Sequence, residues 1–474
     1  MVQQPIDNSL DRLIRGSFYA LIFFLPISIA LVSTFSAFAI FFFLVKRILM
    51  VSRGGQFTAR SIIEILRPPP TCLNWPLAAF MAAVMLSVLF SQYHGLSVRG
   101  LAKILRGIFL YISFIEAFNA AGIRKFIIVG CTSAFVTALS GLSQYFHGID
   151  FVRFTPLTSG RVASSLRHAN DFGAYIVSVC PLFLTLVLHW NFLQKEMADH
   201  KSRINSGILC LFFLATCAVL IWCLGLTFSR SSWLAFFITL IWIGLYRKKA
   251  LALLIILITG FLMAFSPLMV RDRNATMLAD DLNVKPAPML SMVQTPAQSG
   301  QNTGSAAPLP AKQMCAVEGA KNLWCMADAK VRDVLSNLGT GRWLFWTEAW
   351  HIICNYPLWG AGLNTYSKMG QKYKIDWGGY PHNSYLQMTA EIGVLGLGTF
   401  LFLLGVWFKN CVVQLRRRQP GYVRCLLLGV TAAVMGHLIQ SFFDTTFYSV
   451  QLSVLFWLLL ALGVAVQRLP PSRN

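Results

Sequence analysis

Charge is scarce in this chain of 474 residues: Asp, Glu, Lys and Arg make up 12% of it, against 56% hydrophobic residues. That balance excludes an ordinary water-soluble globule, which would have to leave far too much apolar surface in water. Acidic groups are scarcest, 18 against 40 Lys and Arg, for a formal net charge of +22. Metal-ligand patterns are missing too, because the eight histidines are scattered singly and no C-x-x-C or H-E-x-x-H arrangement occurs. No metal and no cofactor is expected. The apolar runs lack apolar–polar alternation, which excludes a barrel and leaves helices as the elements that satisfy their own backbone in lipid.

What is present is a series of apolar runs long enough to cross a hydrocarbon core of roughly 30 Å. Twelve are expected, at Phe18–Val32, Phe35–Val45, Trp75–Phe90, Ile104–Phe118, Phe126–Tyr145, Phe172–Leu188, Ile208–Leu226, Trp233–Tyr246, Leu251–Val270, Ile392–Phe408, Leu426–Phe443 and Phe447–Val466. Pro26 and the Ser33-Thr34 step predict a reversal between the first two. Ser36-Ala37-Phe38-Ala39 resembles a signal cleavage site, but the apolar run continues through it to Val45, which favours retained helices. The expected fold is all-α and polytopic. It divides into an N-terminal bundle of about nine spans (1–270), a large loop (271–391) and three C-terminal spans with a tail (392–474).

Basic residues accumulate in alternate connections: Arg12 and Arg15, Lys46–Arg67, Arg124 and Lys125, Lys195–Arg203, Arg247–Lys249, Lys409–Arg424, and Arg468 with Arg473. By the positive-inside rule both termini are cytoplasmic, and the loop 271–391 lies outside. Much of the +22 is therefore topological. Its partner is an anionic membrane surface rather than nucleic acid.

Outward connections should be poor in arginine, yet FVRFTPLTSGRVASSLRHANDFG carries Arg153, Arg161 and Arg167, and TFSRSSW carries Arg230. Arg99, Lys103 and Arg106 are further exceptions. Arg153 and the Arg99 group read as contacts to lipid phosphate. Arg161 and Arg230 read as functional, since both flank the outer surface and a guanidinium matches phosphate oxygens bidentately.

Within the large loop, 271–335 is an insert rich in Pro, Ala, Gln, Ser and Met, read as flexible and without catalytic content. Cys315 and Cys325 lie there ten residues apart; a local disulfide and two free thiols are both open. The stretch 336–391 is helical in pattern: Arg342, Trp346, Ala349 and Trp350 share a helix face, Pro357 ends that helix, and Gly360 and Gly362 permit a turn. Most of the aromatics Trp359, Tyr366, Tyr373, Trp377 and Tyr380 read as interface anchors. His382 precedes Asn383, Ser384 and Tyr385 just ahead of a span. From the residues alone it is either a base that accepts a hydroxyl proton near neutral pH or a satisfied histidine at a helix start. Glu391 either orients its surroundings or holds a polar neighbour at the membrane boundary.

These residues resemble the polymerase/ligase family of bacterial surface glycans, which includes O-antigen ligases, O-antigen polymerases and protein O-oligosaccharyltransferases. Arg161 with Asn170, Phe172 and Gly173 resembles the family's arginine segment, and Ser229-Arg230 with Trp233 its second arginine motif. Gly341-Arg342, Trp346, Ala349, Pro357, Gly360 and Gly362, followed by His382-Asn383, Tyr385-Leu386, Glu391, Gly393 and Gly396, resemble its loop-to-span signature. Arg167 and Ala169, where a glycine and a proline are common, and the insert before Leu335 depart from it. The resemblance implies a glycosyltransferase in which His382 is the essential histidine and Arg161 and Arg230 lie near the donor pyrophosphate. Arg342, Asn383, Tyr385, Glu391 and Asn170 would be supports. It implies transfer of a glycan from undecaprenyl pyrophosphate to the lipid A core, with inversion and without a metal. Polymerisation or transfer to protein are alternatives within the family. A flippase for lipid-linked glycan is the non-enzyme alternative, disfavoured because mid-span positions are almost wholly apolar apart from Glu116 and His437.

Overall fold

The computed structural model describes residues 5–52, 67–192, 203–246, 342–372 and 380–470, with Ile65, Gln194 and Gly260 besides. Among these residues there are helices and no strand. The elements are α1 (Pro5–Phe24), α2 (Ile29–Ser52), α3 (Asn74–Leu89), α4 (His94–Ala117), α5 (Ala120–His147), α6 (Ala169–Leu188) and α7 (Arg203–Leu226). They continue with α8 (Arg230–Leu245), α9 (Arg342–Asn355), α10 (Tyr366–Lys372), α11 (Ser384–Arg417), α12 (Tyr422–Phe443), a 3-10 turn (Thr446–Tyr448) and α13 (Val450–Gln467). Among the described residues seven helices are long and apolar enough to cross a membrane, and α3 and α8 are shorter apolar helices. The protein is thus an all-α, multi-pass membrane protein. Eleven of the twelve expected runs fall on these helices; Leu251–Val270 lies outside the described residues, apart from Gly260.

Two boundaries differ from expectation. The chain reverses at Leu25–Ser28, where the amides of Ile27 and Ser28 both reach the Phe24 carbonyl, and α2 runs straight through Ser33-Thr34. Both hydroxyls bond back to the carbonyl four residues earlier, Ser33 to Ile29 at 3.0 Å and Thr34 to Ala30 at 3.1 Å, so they fit a helix. The other is α4, which begins at His94, ten residues before the expected Ile104, and carries Arg99, Lys103 and Arg106 before its apolar stretch.

Met1–Met269 and Phe345–Asn474 form one compact unit, and Val270–Leu344 a second, of which little more than the start of α9 is described. Within the first, α6, α12 and α13 are apolar and buried almost all round, as befits the centre of a bundle. By contrast α2 and α7 present Phe38, Phe41, Leu211 and Leu214 outward, where lipid is their solvent. Small residues bring the central helices close. Pro181 removes the donor that the Val177 carbonyl would have used, and that carbonyl faces Gly436 of α12, where a Cβ would come within 2.6 Å. Beside them the buried His437 shares a hydrogen bond with Ser178 (Nδ1 to Oγ 3.0 Å) and packs against the rings of Phe447 and Phe456, a structural role.

Glu116, an apparent mid-span charge, is instead the next-to-last residue of α4. It pairs with Arg47 and with Lys46 (3.6 Å), and Lys46 binds Asp11 at 2.7 Å. The cluster joins α1, α2 and α4 at one end of the bundle, and the buried Lys46 is tolerated because two carboxylates meet it.

Candidate functional site

The opposite end gathers the polar residues. The connection from α5 to α6 carries Arg161 and is built on two buried side chains. Asp150 accepts from the amides of Val152 (2.9 Å), Arg153 (2.6 Å) and Thr155 (2.7 Å). Burial alone would raise its pKa, but these bonds and the Thr155 hydroxyl hold it below the usual carboxylate value. Gln144 accepts from the amides of Ala163 and Ser164 and donates to the carbonyls of Thr155 and Pro156. Arg153 donates to the Ser165 carbonyl at 3.1 Å, so here it braces the connection.

On this frame Arg161 is fixed at two points, Nε on the Thr227 carbonyl (2.9 Å) and Nη2 on Asn170 Oδ1 (2.8 Å). Thr227 lies in the turn that leads to Ser229 and Arg230 at the start of α8, a turn closed by Trp233, whose indole donates to Leu224. Phe228 in that turn has φ +49°. The first turns of α6 and α8 meet where Gly173 leaves no room for a side chain against Ser232. Neither helix has a side-chain cap bond at its N-cap, His168 or Ser229. Two helix N-termini, each with unpaired amides and the positive end of its dipole, therefore converge beside Arg161 and the exposed Arg230, an arrangement suited to an anion.

His382 begins the second half of the site. It stands just before the N-cap of α11, where Asn383 Oδ1 accepts from the amides of Tyr385 (2.9 Å) and Leu386 (3.1 Å). Its backbone is left-handed, φ +46°, a conformation that non-glycine residues adopt only when their surroundings impose it. Its Nδ1 lies 3.2 Å from Asp444 Oδ1, with the imidazole 41% and the carboxylate 15% exposed. Asp444 follows α12 and is itself held: Thr445 N–H donates to Oδ1 (2.8 Å) and the Ser384 hydroxyl to its carbonyl (2.8 Å). The Phe345 ring stands edge-on to His382 at 6.0 Å, and the Trp346 indole donates to the preceding Pro381 carbonyl. Tyr385 ties α11 to α12 through the Leu438 carbonyl at 2.9 Å.

The two halves are linked. Ser232 donates to Ser229 (2.8 Å) and to Gln440 of α12 (3.2 Å), and Asp444 lies four residues beyond Gln440. Asp171, in the first turn of α6, feels the charges of Asp444 and Arg167. His168 titrates below its ordinary value because of partial burial, Arg167 and His382, opposed by Asp444. The starts of α6, α8 and α11 and the end of α12 thus frame one polar site.

Glu391 does not meet His382. It is buried two turns into α11, where it accepts from the amides of Asn364 (2.7 Å) and Tyr366 (3.3 Å) and from Gln387 (3.1 Å). At Gly393, φ +70°, α11 breaks. The freed carbonyls of Ala390 and Glu391 accept from the amides of Ala361 and Gly362, and Val394 donates to Pro357. Gly360 and Gly362 have φ +73° and +119°, and a Cβ at 360 would collide with the Glu391 backbone. Glu391 therefore shapes the connector that follows α9. Tyr366 is buried there, bonded to the Phe345 carbonyl, rather than anchoring in an interface; Trp359 stacks on Phe90.

Arg342 opens α9, but its side chain lies outside the described residues, as do Cys315, Cys325, Tyr373, Trp377 and the insert. Among the described residues no group of three or more His, Cys, Asp or Glu side chains is arranged to hold a metal. Asp444 is the site residue that sequence reasoning missed. Its signal was faint, a lone carboxylate in SFFDTTF between the last two spans of a chain poor in acids.

Fold and site together define a helical, multi-pass membrane protein with a histidine–aspartate pair and arginines at one end of its bundle. Residues 215–401 match the family described as O-antigen ligase. Two curated relatives, both named "putative polysaccharide ligase", are 36% identical (Rickettsia conorii) and 35% identical (Rickettsia prowazekii) over 75 residues. Those alignments take in 13% of this chain, and the chain spans 18% of each relative's length. The family match includes Arg230, His382 and Glu391 but not Arg161 or Asp444, whose place in the site rests on the geometry above.

Proposed function

We propose that the protein is a glycosyltransferase of the O-antigen ligase kind, which moves a glycan from undecaprenyl pyrophosphate onto the lipid A core at the periplasmic face of the inner membrane. The observation that carries this reading is the His382–Asp444 pair at the bundle end where two uncapped helix N-termini meet beside Arg161 and Arg230. In the tautomer that donates from Nδ1 to Asp444, His382 leaves Nε2 as a proton acceptor. The acceptor hydroxyl attacks the anomeric carbon from the side opposite the diphosphate and passes its proton to Nε2. The bond from the anomeric carbon to the phosphate oxygen breaks, and its electron pair leaves on the diphosphate with inversion. Arg161, Arg230 and the first turns of α6 and α8 stabilise that developing charge, which relieves the leaving group of any need for a proton. Asn170 and Asn383 act through Arg161 and His382, which they position, and Glu391 holds the connector beneath α9.

The lipopolysaccharide of a deletion strain tests this reading against polymerisation. Long polymer on the lipid carrier with bare lipid A core supports ligation; a core that bears single repeats overturns it in favour of a polymerase. Sidedness follows from the basic connections. A membrane-impermeant thiol label on Ser299→Cys is expected to react from the periplasm, and reaction from the cytoplasm alone would overturn the placement.

A further inference from the structure

A second site lies away from the arginines. Between α3, α4, α11 and α13 there is a cleft of about 80 Å³ with walls from Phe80, Ile104, Met388, Phe400, Phe447 and Trp457. Trp457 lies against Gly107 of α4, where even a methyl group would collide with it, so the indole forms a fixed wall. The walls of this slot are apolar, so its occupant would be a hydrocarbon group. Its polar edge is cationic. Lys103 lines the cleft and donates to Asn364 at 2.9 Å; Arg99 precedes it by four residues and Arg106 follows by three, so all three share one face of α4. The buried Nε of Arg106 has no hydrogen-bond partner. The one acid on α4, Glu116, is at the other end of the helix and is engaged by Lys46 and Arg47. Lys103 at the slot, with Arg99 and Arg106 on the same face of α4 and no carboxylate on their part of the helix, complements an anionic head joined to a hydrocarbon chain.

We propose that this cleft holds an acyl chain of an anionic membrane phospholipid, with its phosphate on Lys103 and the neighbouring arginines. The lining of the cleft includes none of Arg161, Arg230 and His382. It nonetheless touches the catalytic end. Lys103 grips Asn364, whose amide is held by Glu391, and Gly100 packs against Leu363 so closely that a Cβ would come within 2.7 Å of it. An occupied cleft therefore stiffens the connector that Glu391 organises.

The test uses the full-length protein in nanodiscs that contain photoactivatable phosphatidylglycerol or its phosphatidylcholine analogue, with labelled peptides mapped by mass spectrometry. Phosphatidylglycerol is expected to label α4, α11 and α13 at least fivefold more than phosphatidylcholine, and Lys103→Glu is expected to abolish the preference. Ile104→Trp, which fills the slot, should lower labelling by either lipid; Lys103→Glu, on an exposed side chain, keeps the test sound if the tryptophan variant misfolds. Equal labelling by the two lipids, or an unchanged preference in Lys103→Glu, overturns the proposal. So does displacement of the label by undecaprenyl phosphate, which would assign the cleft to a polyprenyl chain.

Discussion

Replacement of Asp444 by asparagine removes a charge without a change of size. The native carboxylate lies 3.2 Å from His382 Nδ1 and is kept in place by Thr445 N–H at 2.8 Å. Both contacts fall on the same atom, Oδ1, so an asparagine whose amide oxygen stays with Thr445 still accepts from His382 Nδ1–H and leaves Nε2 as the base. What is lost is the charge that steadies the imidazolium as it forms. A hydrogen bond to a charged group is worth about 1 kcal/mol more than a neutral one, so a loss of roughly five- to tenfold is expected. Asp444→Ala, which leaves Nδ1 to water, should lose more. The assay is glycan transfer in detergent with purified donor and acceptor, with kcat and KM measured separately; the loss should fall on kcat. Asp444→Ala with kcat within about twofold of wild type would refute the argument, provided His382→Ala is impaired.

Arg230→Ala should raise KM for donor about tenfold or more, the worth of one charge-assisted contact, with little change in thermal stability because the side chain is exposed. Arg161→Ala should weaken the donor and also lower the melting temperature, since it gives up bonds to both Thr227 and Asn170; equal melting of the two variants would contradict this. Gly393→Ala places a Cβ against the Leu358 carbonyl at φ +70° and should reduce yield and stability by at least about 1–3 kcal/mol, read by thermal unfolding. Glu348 of α9 is buried against Gly370, and burial pushes its carboxyl up to about 7 from an ordinary 4.5. The folded state therefore holds its proton more tightly than the unfolded chain, so stability is highest below about 4.5, falls as pH rises to 7 and then levels. Glu348→Gln should flatten that slope and melt higher than wild type at pH 8 but not at pH 4; parallel curves would contradict it.

Helices were legible because lipid demands long uninterrupted apolar runs, and such runs survive without any knowledge of their partners. Their ends were less so. Arg99, Lys103 and Arg106 break the apolar pattern of α4 and moved its expected start to Ile104, although charges confined to one face leave the helix intact. Ser33 and Thr34 look like punctuation in sequence but spend their hydroxyls on helical carbonyls. In the site, Arg161, Arg230 and His382 were marked by charge in the wrong place or by chemistry beside a span. Asp444 was not, because the bond that gives it meaning joins residues 62 apart in the chain. Glu391 was noticed but not understood, since its partners Asn364 and Tyr366 meet it only once Gly393 has broken α11.

The central claim is that His382 accepts the proton of the attacking hydroxyl while separate cations hold the diphosphate. Single-turnover transfer by purified wild type and His382→Ala, with donor binding measured in parallel, tests it most directly. A general base is worth about a hundred- to ten-thousandfold, so the variant should lose that much in rate while it binds donor lipid with wild-type affinity. Near-normal transfer by His382→Ala, or wild-type transfer abolished by a metal chelator, would contradict the account.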